Sequence, residues 1–144
     1  MELTKQEAQN LFNDIQPLTK APIGALYPIS AVVAENYMIL KRGVIEDIKR
    51  RHAKIIFELA KKDEKGKPIE NPKGVYDFAD NTEEAEKRYT EMMDEVIDIK
   101  FATITERYAL ECKAPSEYLF PLYKYIIIPT HPQTVISEPQ RVQV

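Results

Sequence analysis

The chain is poor in the residues that staple small domains together or carry common chemistries. Of its 144 residues one is cysteine, Cys112, which by itself closes no intramolecular disulfide. The two histidines, His52 and His131, do not complete a Cys/His zinc site with it. There is no tryptophan and there are four glycines, of which Gly66 and Gly74 stand too far apart, with lysines in the wrong order, to form a phosphate-cradling loop. No apolar run approaches the roughly 18 residues of a membrane span, and Met1-Glu2-Leu3-Thr4-Lys5-Gln6 has no signal-peptide apolar stretch, so the expectation is a soluble, intracellular protein. Nothing matches a nucleophile elbow, a Walker loop, HExxH or paired catalytic carboxylates. The expectation is therefore a protein that is not an enzyme, with no catalytic residue, cofactor or metal assigned.

What is present suits one core-forming domain. A chain of this length buries about 68–70% of its unfolded surface without metal or disulfides, and 44% hydrophobic residues with a net charge of -3 argue against wholesale disorder. Thr4 and Glu7 have the spacing of a capping box, and Ala8, Leu11, Phe12 and Ile15 follow on one helical face before Pro17 stops it. From Ile29 to Lys62 the apolar residues Val33, Tyr37, Leu40, Val44, Ile48, Ile55 and Leu59 recur at helical intervals, which predicts a rod of roughly 50 Å. A compact globule of this size is only about 40 Å across, so the rod overhangs or bends, with Gly43 either the bend or a tolerated glycine.

Beyond the rod, Asn71-Pro72-Lys73-Gly74 fits a type I turn, with Ile69 and Val75-Tyr76 as two short strands of a hairpin. Asn81 or Thr82 starts a helix rich in Glu at its first turn, striped by Ala85, Tyr89, Met92, Met93 and Val96, and handing over near Val96 to the alternating strand Ile97 to Phe101. A turn from Arg107 to Lys113 and a short helix led by Pro115 precede Tyr123 to Ile128. This apolar β-former is expected to pair with the Ile97 to Phe101 strand. The fold class predicted is α+β, mainly α: a long antiparallel helical hairpin of 29–62 against 82–95 with a small β-sheet. It forms a single domain over 1–128, followed by an extended C-terminal arm over 129–144.

The small net charge conceals an uneven distribution. Between Lys41 and Lys54 six basic residues face two acidic ones, a local +4, and between Glu83 and Asp98 seven acidic residues face two basic ones, a local -5. Closing the hairpin brings these stretches together and sets register more than stability. Lys49, Arg50 and Arg51 read either as a phosphate-backbone contact or as a helix face paired to the acidic helix. His52 reads as a buried, hydrogen-bonded histidine and Cys112 as a packing cysteine. The acidic run Asp77, Asp80, Glu83 and Glu84 lacks the spacing and glycine of a calcium loop and reads as helix-start chemistry. The tyrosines at 108, 118, 123 and 125 suit both a core edge and an interface, and the candidate protein interface is Tyr118, Tyr123, Tyr125, Ile126 and Ile128 with Val135 and Ile136 of the arm.

The order of these features resembles an uncharacterised family of small bacteriophage proteins. The likeness rests on Leu3-Thr4-Lys5-Gln6-Glu7, the proline-led long helix, the turn Lys62-Asp63-Glu64-Lys65-Gly66-Lys67-Pro68-Ile69, and Ala114-Pro115-Ser116-Glu117-Tyr118-Leu119. It covers roughly residues 1–122, and the Tyr123 to Ile128 strand and the arm go beyond it. The resemblance implies a phage origin and a binding or structural role, located in the virion or the host cytoplasm. Its partners are then other proteins: phage structural proteins, or further copies of itself in an oligomer. The alternative is a phage accessory protein that binds and inhibits a host enzyme or defence factor. A nucleic-acid-associated factor is a third reading.

Overall fold

A computed structural model of the protein describes residues 1–20 and 28–129. Among them the chain is mainly helical, with two separate two-stranded sheets. The capping box forms as its spacing dictates: the Glu7 amide donates to Thr4 Oγ1 at 3.0 Å and the Thr4 amide to Glu7 Oε1 at 2.9 Å. The bond from the Thr4 amide holds the Glu7 carboxyl below its ordinary range. Helix α1 (Lys5–Ile15) buries Ala8, Leu11, Phe12 and Ile15, and Pro17 then opens a 3₁₀ turn.

Two pairings differ from expectation. The residues before the cap form a strand, β1 (Glu2–Thr4), which pairs antiparallel with β2 (Val96–Asp98), Leu3 opposite Ile97. β2 therefore does not pair with Tyr123 to Ile128, although Phe101 beyond it packs against Tyr125. Leu3, almost fully buried, finds its covered face on β2, while Tyr123 to Ile126 is tied into a turn, the Tyr123 and Ile126 amides donating back to Phe120 and Leu122 carbonyls. Only β4 (Ile127–Ile128) remains extended, and it pairs parallel with β3 (Ile104–Thr105). The stretch expected as a turn from Arg107 contains α5 (Glu106–Glu111). Helix α6 (Ser116–Leu119) follows Pro115 and runs into a 3₁₀ turn at Phe120–Leu122.

The long helix is continuous but not uniform. Helix α2 (Ile29–Leu40) and helix α3 (Glu46–Leu59) are joined by a π-helical turn, Lys41–Ile45, centred on Gly43. Such a turn accommodates an extra residue within a helix. The rod ends at Leu59 rather than Lys62: Ala60 is extended at φ -74° and ψ 150°, and the Leu59 carbonyl accepts from Asn81 Nδ2 at 3.0 Å. Helix α4 (Thr82–Met93) packs on α3, not along the whole rod. Helix α2 is covered instead by α1 and its 3₁₀ turn, with Phe12 stacked on Tyr37 at 5.1 Å.

The core lies between α1, α2, the π turn and the C-terminal segments. Ile15, Ile29, Leu40, Leu122 and Ile126 are completely withdrawn from solvent, and burying each side chain contributes roughly 1.5–3 kcal/mol. Asn36 sits in the same interior, its Nδ2 donating to the Ala102 carbonyl at 2.9 Å and its Oδ1 accepting from the Ala102 amide at 2.8 Å. The side chain thus replaces a neighbouring strand's peptide where the chain leaves β2. Residues 130–144 of the expected arm, including Val135 and Ile136, lie outside the described residues. No helix among the described residues is long and apolar enough to cross a membrane.

Candidate functional site

The basic and acidic stretches do meet. Lys5, buried at 6% exposure, donates to Asp47 Oδ2 at 2.8 Å and to Glu95 Oε1 at 2.9 Å. Arg51 forks onto the Glu95 carboxylate at 2.7 and 2.6 Å, and Arg50 binds Asp47. Those bonds, Arg51's first and Lys5's second, pull the Glu95 carboxyl down to about 2, and the Lys5 hydrogen bond likewise holds Asp47 below the usual carboxylate range. Further along the helices Arg88 bridges Glu58 at 2.7 Å and Glu84 at 3.1 Å. Of the three cations singled out, Arg50 and Arg51 therefore engage carboxylates of the same chain, and Lys49 is exposed with no ion pair among the described residues.

The opposite end of the α3–α4 pair has a different character. From Lys61 to Glu84 no residue is buried. Local polar bonds set its shape. Asp63 Oδ1 accepts from the Lys65 and Lys67 amides at 2.8 and 3.0 Å, and Asn71 Oδ1 accepts from the Lys73 and Val75 amides at 2.8 and 3.0 Å. Both Asp/Asn turns are completed by glycines in the left-handed region, Gly66 at φ 80° and Gly74 at φ 79°. The expected hairpin is reduced to two isolated bridges, Lys62 to Pro68 and Glu70 to Tyr76. The Tyr76 hydroxyl donates to Glu70 at 3.3 Å, and the Glu70 charge pushes its pKa up. At the exit, Asp77 accepts from the Ala79 amide at 2.8 Å, where Ala79 takes φ 48°. The acidic run is thus helix-start structure, and among the described residues no group of His, Cys, Asp and Glu is placed to hold a metal.

Beside this tip, α3 and α4 leave a cleft of about 350 Å³ lined by His52, Ile55, Phe78, Ala85, Glu86, Tyr89 and Thr90. His52 is exposed, which corrects the expectation of a buried histidine: α3 turns Ile48 and Ile55 inward, and the imidazole lies on the flank, tilted over Tyr89 at 5.1 Å. The floor is apolar, and no cation among the described residues is ion-paired with Glu86.

The tyrosine-isoleucine set divides. Tyr118 and Tyr125 are half-buried against the core, Tyr125 meeting Phe101 at 5.7 Å, and Ile126 is wholly interior. Tyr123 and Ile128 reach solvent, together with Phe120 at 78% exposure. Burial, with help from Glu106, raises the Tyr123 hydroxyl's pKa. Cys112 is half-buried, its thiol donating to the Tyr108 carbonyl at 3.3 Å. Asn36, Lys5 and the cleft had no sequence signal beyond a polar residue on a helical face, and the exposed Phe120 was not among the residues singled out from the sequence. No protein-family model matches this chain, and neither curated proteins nor solved structures give a match.

Proposed function

We propose that this chain is a non-enzymatic structural or assembly component of a bacteriophage particle that docks to other proteins through a helical hairpin, α3 against α4, and through its C-terminal segment. The observation that carries the reading is the tip. A stretch with no buried residue is nevertheless given a defined shape by its own backbone and Asp/Asn turns, and it presents Ile69 and Val75 to solvent, with Phe57 exposed beside it on α3. Rigid exposed apolar residues ringed by charge suit protein recognition, because little ordering entropy is lost on docking. The phage origin rests on the turn and capping resemblance described above. Mass spectrometry of purified particles tests the proposal: the protein is expected in the particle at defined stoichiometry, and its absence overturns the reading.

A further inference from the structure

We propose that the tip, residues 61–76, of one copy seats in the α3–α4 cleft of a second copy, and that the exchange is reciprocal and closes a two-fold dimer. The inference rests on the docking reading only in treating the tip as an interaction surface. Lys61, Lys62, Lys65, Lys67 and Lys73 surround the tip, and none is ion-paired among the described residues. Two of its acidic groups are occupied at home, Asp63 by backbone amides and Glu70 by the Tyr76 hydroxyl. At its surface Ile69 is 41% and Val75 57% exposed. Glu64 is a third carboxylate, exposed and without an ion pair among the described residues, so five lysines stand against three acids and the tip is an apolar knob in a ring of net positive charge.

The cleft is the complement. Its floor is Ile55, Phe78 and Ala85, its rim carries the Glu86 carboxylate, and about 350 Å³ admits one or two branched side chains. Glu83, exposed and also without an ion pair among the described residues, extends the same negative edge along α4. Opposite charge around matched apolar surfaces steers association and fixes register. Both surfaces sit at one end of the α3–α4 pair, since Phe78 closely follows the tip and Ile55 precedes it. Two copies that insert reciprocally then satisfy both knobs and both clefts about a single two-fold axis, leaving no open surface to propagate.

Sedimentation velocity of the full chain over a wide concentration range, at low and high salt, tests this. A dimer is expected at low salt and should weaken as salt screens the rim. Glu86→Lys and Val75→Asp should each weaken it about tenfold or more, with unchanged circular dichroism because both positions are exposed. Mixing Glu86→Lys with a Lys67→Glu, Lys73→Glu double variant should recover association through both joints, one with the original charges and one with the charges reversed. A monomer under all conditions, a dimer indifferent to Glu86→Lys and Val75→Asp, or a monomer whose tip binds an acidic peptide or duplex DNA instead would each overturn the inference. Its failure is distinct from failure of the virion reading, which is decided by the particle's composition and not by the oligomeric state.

Discussion

The molecule contains two regions held together by opposite means. Around α1, α2 and the C-terminal segments, side chains such as Ile15, Ile29 and Ile126 are removed from water altogether. From Lys61 to Glu84 nothing is buried, and the chain is shaped by Asp63, Asn71 and Asp77 binding nearby amides. The body derives its stability from area, about 25 cal/mol for each Å² of apolar surface buried. The tip derives its shape from short-range hydrogen bonds worth roughly 0.5–1.5 kcal/mol each. Most apolar residues in the body are consumed by folding, Phe120 and Ile128 at its surface excepted. Those at the tip remain available for a partner.

The contrast breaks most visibly under truncation of apolar side chains. Ile126→Ala should cost about 2–5 kcal/mol in urea unfolding, because it empties a fully enclosed site, whereas Val75→Ala should stay within about 0.5 kcal/mol. Similar losses at both positions would erase the distinction. Next in size is Asn36→Leu. It keeps the volume but strands the Ala102 amide and carbonyl in the interior, and should cost about 1–3 kcal/mol in the same assay. A neutral Asn36→Leu would mean that the Ala102 backbone finds another partner and that the body tolerates polar loss as the tip would.

The distribution of legible and illegible features follows from the same contrast. Short-range chemistry could be read directly: the Thr4/Glu7 box, the α4 start at Thr82 and the handover at Val96 all depend on residues a few positions apart. The meeting of Arg51 with Glu95 was legible as a +4 stretch matching a -5 one. Strand pairing was not. β1, β3 and β4 contain two or three residues each, too few for a period of two to register, and their partners are fixed by how the helices stack. Tyr123 to Ile126 had strong β-propensity, yet Pro121 within a helical turn folded it back. Asn36 was one polar residue in an apolar helix until the Ala102 peptide was placed against it.

Between body and tip lies the ion network, whose effect should appear as acid sensitivity. Glu95 has its pKa pulled from the ordinary 4.5 to about 2 in the folded protein. The folded state therefore holds fewer protons than the unfolded chain over that interval. Its contribution is fully present above about pH 5 and is lost as pH falls through the folded value near 2. The carboxylate is 43% exposed, so screening reduces the effect to about 1 kcal/mol. Arg51→Ala removes the main cause of the shift and should flatten stability between pH 5 and 2, read by urea midpoints at each pH. An unchanged slope would place the acid sensitivity elsewhere.

The smallest expected effect concerns the joint itself. Gly43 lies in the π turn that connects the body-facing α2 to α3, and a methyl group added there meets nothing within 4 Å. Close packing therefore does not explain this glycine, and its cost to helix stability goes uncompensated by any contact. Gly43→Ala should stabilise the protein by about 0.4–1 kcal/mol, mainly by narrowing the unfolded ensemble, seen as a small rise in the urea midpoint with an unchanged slope. A loss of stability would show that the π turn needs the freedom of glycine. The continuity of the rod from body to tip would then depend on that one residue rather than on the packing either side of it.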